Sequence, residues 1–202
     1  MSTVSALTFA DHLLPRGDSR SLGRNIALVM GGSLLIALSA RISIPVGFGL
    51  VPITGQTFAV LLVGALLGGR LGALAVIAYI GEGLAGLPVA AMGSAGIPSG
   101  IPWIIGPTGG YLLGFVVAAY ITGALAQRGW DRSPLLTIAA MSLGTAAIFA
   151  FGLAWLSRFP NPAGLLESGL YPFLPGAVIK IALAAALLPS GWKVLAMMSD
   201  RK

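Results

Sequence analysis

Lys180 is the side chain most open to a chemical interpretation, because it lies inside an apolar segment. Residues 171–189 read "YPFLPGAVIKIALAAALLP", and Lys180 falls about one and a half turns into a helix that has Pro175 in its first turn. A cation within a membrane helix normally faces a cavity or a partner, because its insertion into lipid is costly. Lys180 therefore either snorkels outward, pairs with Glu82 or Glu167, or binds the carboxylate of a ligand.

Polar and aromatic side chains in other segments are candidates to complete such a site. Gln56 and Thr57 supply amide and hydroxyl groups for a neutral polar ligand, or they cap the helix that they begin. In "GPTGGYLLGF", Thr108 is expected to cap a helix, and Gly109 and Gly110 serve either ligand approach or helix packing. Four rings are expected to form flat apolar walls, unless they anchor the protein at the membrane interface: Phe48, Tyr79, Trp103 and Tyr111.

Residues that catalyse reactions are scarce. The chain has no cysteine, and its one histidine, His12, lies near the N-terminus. The apolar segments contain no paired carboxylates and no serine with an evident base, and the chain has no Walker-type loop. We therefore expect no enzyme, no metal and no cofactor. A protein that binds or transports a small molecule with one carboxylate fits better.

Composition assigns the chain to a membrane. Hydrophobic residues make up 56% of it, charged residues make up 9%, and the mean hydropathy is +0.93. This leaves too little polar surface for a soluble globule of 202 residues. The twelve basic residues form no stripe with interleaved aromatics, so nucleic acid is not expected as a partner, whereas membrane lipids are.

Apolar segments of sufficient length predict four spans, over residues 25–43, 108–126, 134–156 and 173–194. The stretch "VPITGQTFAVLLVGALLGGRLGALAVIAYIGEGLAGLPV" leaves two alternatives. It is one helix with Arg70 near mid-membrane, or a hairpin of helices over 56–68 and 71–87 that turns at Gly68, Gly69 and Arg70.

The distribution of basic residues favours the hairpin. Five spans would place more of the basic residues outside than inside, against the positive-inside rule. Six spans place two of them outside, Arg41 and Arg158, and nine inside: Arg16, Arg20, Arg24, Arg70, Arg128, Arg132, Lys193, Arg201 and Lys202. We therefore predict an all-α integral membrane protein with six transmembrane helices and both termini cytoplasmic.

The chain divides into a cytoplasmic tail over residues 1–23, one transmembrane domain over 24–196 and a second tail over 197–202. The first tail lacks the features of a secretory signal and is expected to be mobile, with a short surface helix as the alternative. The second predicted helix is too short to span alone, and Pro- and Gly-rich outer loops flank the hairpin. Such segments are tolerated where they line a protected cavity, so both loops are expected to cap a site.

Small residues at four-residue spacing mark the first long helix. Ala27 and Gly31 are four residues apart, and so are Ser33 and Ala37. Such spacing permits close helix approach, either within the bundle or to another subunit.

Four motifs, in chain order, resemble the BioY family: "VPITGQTFAVLLVGALLGGRLG", "GEGLAGLPV", "GPTGGYLLGF" and "FLPGAVIK". The members of this family are the biotin-specific substrate-binding (S) components of energy-coupling factor (ECF) transporters. The resemblance implies a six-helix S-component fold in the prokaryotic cytoplasmic membrane and a biotin site under the outer loops. It also implies a transmembrane coupling subunit, docked on the small residues of the first helix, and two ATPase subunits.

Two positions depart from the pattern that the resemblance implies. Many family members have an aspartate in the sixth helix where this chain has Ala177, although Lys180 is kept. Many also have an asparagine in the loop that here contains Gly93, which the resemblance places at the ligand. A self-sufficient biotin carrier, working without the ATPase module, is the alternative function.

Overall fold

The computed structural model describes residues 7–14, 21–44, 51–91, 99–160 and 164–199, and it shows a helical bundle. The longer helices are α2 (Ser21–Ser39), α3 (Gln56–Leu67), α4 (Gly69–Leu84), α6 (Gly109–Ala126), α7 (Pro134–Leu156) and α9 (Leu174–Ser199). Short helices precede or connect them: α1 (Phe9–Leu13), α5 (Ile101–Ile105) and α8 (Leu165–Gly169). Single 3₁₀ turns cover Trp130–Arg132 and Tyr171–Phe173.

The predicted hairpin is confirmed as two helices. Gly68 separates them with a φ of +85°, a conformation that glycine adopts without a steric penalty. Its N–H donates to the Gly64 carbonyl at 2.8 Å and so closes the last turn of α3. Arg70 therefore lies at the start of α4, exposed, rather than in the middle of a helix.

Helix α6 forms the centre of the bundle and packs against α3, α4 and α7. A Cβ added at Gly64 or Gly123 would collide with the backbone of the neighbouring helix. These glycines therefore allow α3, α4 and α6 to approach closely, as small residues do in membrane bundles. The tight contact fixes α3 and α6, whose N-terminal ends line the pocket described below.

Among the residues that the structure describes, four segments are long and apolar enough to span a membrane: Leu22–Ser39, Gly109–Ala126, Pro134–Leu156 and Leu165–Met198. Helix α3 is apolar but has 12 residues. The all-α prediction needs one correction, because Ser43–Ile44 pairs antiparallel with Ile53–Thr54 in a two-stranded sheet. This pairing closes the loop before α3 and places Thr54 opposite Ser43.

The prediction of a mobile N-terminal tail is wrong for residues 7–14. Thr8 and Asp11 form a capping box at the start of α1, and Arg24 of α2 forms an ion pair with Asp11 at 2.9 Å. The ring of Phe9 contacts Trp192 of α9 edge-on, with the centroids 5.4 Å apart. The short helix that the sequence left as an alternative is thus packed on the end of the bundle.

Candidate functional site

A pocket lies where the N-terminal ends of α3, α6 and α9 meet the C-terminal half of α7. Its walls include Val51–Thr54 of the loop before α3 and Trp103 of α5. The cavity volume is about 60 Å³, and the pocket is partly open. Six residues chosen from sequence line it: Gln56, Thr57, Trp103, Thr108, Tyr111 and Lys180.

Lys180 is half-buried on the pocket wall, and its ammonium is held by neutral groups. Nζ donates to the Thr54 carbonyl at 2.6 Å and to Thr57 Oγ1 at 2.7 Å. Pairing with a carboxylate is not seen among the described residues, so the alternative in which Lys180 pairs with Glu82 or Glu167 is wrong there. An ammonium has three donors, and two are used. The third is left for a ligand.

Gln56 is buried and supports the pocket as well as lining it. Its Nε2 donates to Tyr79 Oη at 2.5 Å, and Tyr79 Oη donates to the Val89 carbonyl at 3.1 Å. Thr54 Oγ1 donates to Gln56 Oε1 at 3.1 Å. This chain of hydrogen bonds connects α3, α4 and the loop after α4. Tyr79 lies behind the pocket wall rather than on it, which corrects its expected role as a wall.

Trp103 forms a buried wall and packs edge-on against Tyr79, with centroids 5.7 Å apart. Thr108 precedes α6 but makes no capping hydrogen bond, because its hydroxyl donates instead to the Trp103 carbonyl at 3.3 Å. Gly109 and Gly110 do not line the pocket. A Cβ on either would collide with Ile104 or Trp155, so their role is close packing against α5 and α7.

Tyr111 lines the pocket and is tied to α8, because its hydroxyl donates to the Gly169 carbonyl at 2.8 Å. Phe173 lies 6.3 Å from the rings of both Tyr111 and Phe149, so three aromatic rings share one side. Phe48 and Gly93 lie outside the described residues.

Sequence reasoning missed pocket residues that carry no distinguishing signal. Thr145 of α7 and Thr54 of the strand pair supply polar groups, and most of the others are apolar residues of types common in membrane proteins, among them the following: Leu61, Leu112, Phe115, Ile148, Phe149 and Phe173. Thr145 and Phe149 are one turn apart and therefore lie on the same face of α7. This spacing is the sequence signal that could have indicated both as pocket residues.

The four small residues of α2 do not share one exposed face. Ala27 and Gly31 are exposed, and a Cβ at Gly31 would meet nothing within 4 Å. Ser33 is fully buried and donates to Glu82 Oε1 at 2.5 Å, while Ala37 packs against the core. Ser33 and Ala37 therefore pack within the bundle, the alternative that the sequence left open, because six residues of helix rotate Ser33 by about 120° from Ala27.

The fold and pocket define a class: a multi-pass helical membrane protein with a small ligand chamber between helix ends. The sequence profile of the BioY family matches residues 12–197. A probable biotin transporter BioY from Pyrococcus horikoshii is 34% identical over 164 residues, which cover 81% of this chain and 93% of that protein. The biotin transporter BioY of Rhodobacter capsulatus is 35% identical over 174 residues, covering 79% and 88%.

A solved structure agrees with these relatives. The crystal structure of the S-component for biotin from an ECF-type ABC transporter superposes with a TM-score of 0.74 at 25% identity, and the match covers 88% of this chain and 95% of that one. The chain belongs to the BioY family. This family consists of transporters, so the protein is not an enzyme.

Proposed function

We propose that this protein captures biotin as the S component of an ECF transporter and serves biotin uptake across the prokaryotic cytoplasmic membrane. The functions of its relatives support the ligand and the transporter class. The observation that carries the proposal is Lys180, whose ammonium lies on the wall of a largely apolar pocket with neutral partners. A ligand carboxylate supplies the missing counter-charge.

The rest of the pocket matches the remaining chemistry of biotin. Its apolar bicycle packs between Trp103 and the rings of Tyr111 and Phe149, and its ureido group meets the hydroxyls of Thr108 and Thr145. Phe48 and Gly93 are proposed as further contacts on the resemblance to the family.

The proposed topology has six spans with both termini in the cytoplasm. It rests on the confirmed hairpin and on nine basic residues inside against two outside. The pocket then opens toward the outer face, as capture from outside requires. The exposed residues Ala27 and Gly31 of α2 are the proposed contact for the coupling subunit, which works with the ATPase subunits.

The decisive experiment is equilibrium binding of biotin to the purified chain, with biotin amide as the uncharged analogue. We expect Lys180→Ala to weaken biotin binding about tenfold or more and Lys180→Arg to weaken it less. Biotin amide should bind the wild-type protein more weakly than biotin does. Equal affinity for the acid and the amide would contradict the role of Lys180, and no retention of biotin at micromolar concentration would contradict the ligand.

The self-sufficient carrier is tested separately, by biotin uptake in cells that lack every coupling subunit. Uptake that depends on a co-expressed coupling module supports the S-component role. Uptake at the same rate without the module would instead establish the carrier.

A further inference from the structure

A second concavity, here called the α2–α4 groove, lies on the surface of the bundle between these two helices. Its volume is about 900 Å³, and it shares no lining residue with the ligand pocket. The long walls are apolar, with Ile26 and Met30 on α2 and Leu74 and Ile77 on α4. Each of these four side chains is about half exposed. Such a surface on a membrane protein faces the acyl chains of lipids.

The inner end of the groove is polar and positively charged. Arg70 begins α4, Asn25 lies near the start of α2, and Gln127 follows the end of α6. No described residue pairs with the exposed guanidinium of Arg70 or accepts a hydrogen bond from it. Gln127 Oε1 accepts from the Gly69 N–H at 3.3 Å, and none of the residues lining the groove is acidic. The end therefore offers donors to an anion.

We propose that the α2–α4 groove binds an anionic phospholipid, with its phosphate at Arg70 and an acyl chain between Ile26 and Met30 on one side and Leu74 and Ile77 on the other. Guanidinium and phosphate form two parallel charge-assisted hydrogen bonds. From Arg70 to Ile77 the helix rises about 10 Å, which lies within one leaflet of a bilayer about 30 Å thick. The proposal requires a membrane location and does not depend on the identity of the pocket ligand.

Charge favours this occupant over a helix of another protein. A partner helix that filled the groove would need an acidic side chain placed at Arg70, whereas every anionic phospholipid brings a negative head and an apolar tail with the required spacing. A photoreactive residue in the groove would cross-link to lipid in the first case and to protein in the second, so one experiment separates the two occupants.

The binding test uses native mass spectrometry of the purified chain with phosphatidylglycerol and phosphatidylcholine of equal chain length. We expect the wild-type protein to prefer phosphatidylglycerol and Arg70→Gln to lower that preference about fivefold. The matched control is Lys193→Gln, which removes an exposed cation on α9 that does not line the groove. Equal preference in Arg70→Gln and Lys193→Gln would overturn the proposal.

A second variant tests the groove itself. The phenylalanine of Ala78→Phe would fill the groove beside Ile77, so this variant should retain less of both lipids. An unfolding temperature equal to that of the wild type shows that the variant is folded. A photoreactive residue at position 77, activated in native membranes, should form adducts with phospholipid. Adducts with a protein, or undiminished lipid retention in folded Ala78→Phe, would overturn the proposal.

Discussion

Lys180 is positioned by atoms that the chain brings together from distant segments. Thr57 belongs to the first turn of α3, and Thr54 belongs to the strand that pairs with residues 43–44. Both accept hydrogen bonds from the ammonium without neutralising its charge. The pocket therefore keeps a positive charge that a ligand anion can satisfy. Selectivity for an acid is then expected to depend on the charge of Lys180.

Ala177→Asp tests this dependence directly. Residues three apart lie side by side on a helix, so the new carboxylate would neighbour Lys180 and neutralise it. We expect the ratio of affinities for biotin and biotin amide to fall toward one, measured by equilibrium binding of both compounds. The control Ala177→Asn has the same size without the charge and should keep the wild-type ratio. An unchanged ratio in Ala177→Asp would show that Lys180 does not contact the ligand carboxylate.

Among single residues, the sequence predicts those that are chemically unusual for their surroundings. Lys180 stands out because a cation is rare in an apolar helix. Thr145 does not, because a threonine can bond to its own helix and is common in membrane segments. Gly109 and Gly110 looked suited to ligand approach, yet their neighbours are Ile104 and Trp155. What lies opposite a glycine depends on helix packing, which the local sequence does not reveal.

Among the elements, the hairpin of α3 and α4 was predictable and the N-terminal helix was not. Charge distribution placed Arg70 outside the membrane core, and Gly68 and Gly69 supplied a turn. Helix α1 has five residues, too few for stability in isolation. Besides its capping box, it is held by Arg24, 13 residues from Asp11, and by Trp192, which lies far along the chain. Contacts at such sequence separation leave no periodic pattern.

Two glycines in α4 give a matched test of the wall formed by Trp103. A Cβ at Gly83 would overlap the Trp103 ring, whereas a Cβ at Gly81 would meet nothing within 4 Å. We expect Gly83→Ala to displace Trp103, weaken biotin binding and destabilise the fold by about 1–3 kcal/mol. Gly81→Ala should bind normally and be as stable or up to about 1 kcal/mol more stable, since alanine favours helix. Thermal unfolding in detergent and biotin binding check both variants, and similar behaviour of the two would contradict the packing role.

In the whole molecule, Asp131 is a buried charge at the end of the bundle opposite the pocket. Burial raises the pKa of Asp131, while the hydrogen bond from Trp192 Nε1, at 2.6 Å, lowers it. Its other oxygen, Oδ1, has no hydrogen-bond partner among the described residues. The guanidinium carbon of Arg132 lies over the Trp192 ring, 4.4 Å from the ring centroid. The ring of His12 contacts the same Trp192 ring edge-on, with the centroids 5.2 Å apart. The N-terminal helix, the α6–α7 connection and α9 therefore meet around this carboxyl.

The raised pKa predicts how stability depends on pH. The folded state holds the Asp131 proton more tightly than the unfolded state does. The contribution of Asp131 to the free energy of unfolding therefore falls as the pH rises above the ordinary carboxyl pKa of about 3.9 toward the raised value. We expect Asp131→Asn to flatten this dependence and to be more stable than the wild type at neutral pH. Unfolding temperatures from about pH 4 to about pH 8 check it, with Glu167→Gln as the control for an exposed carboxylate. Parallel profiles for wild type and Asp131→Asn would contradict the prediction.

The proposed topology accounts for the position of the pocket, the distribution of basic residues and the hairpin of α3 and α4. It can be tested directly because the chain has no cysteine, so an introduced cysteine is the one site for a thiol label. Single cysteines at the exposed positions Arg70, Arg128, Ala85 and Ser157 introduce one label site each. With a membrane-impermeant maleimide on intact cells, we expect labelling at 85 and 157, and labelling at 70 and 128 only after the membrane is permeabilised. Labelling at 70 and 128 from outside would mean an inverted protein, whose pocket opens to the cytoplasm, and it would contradict capture of biotin from outside.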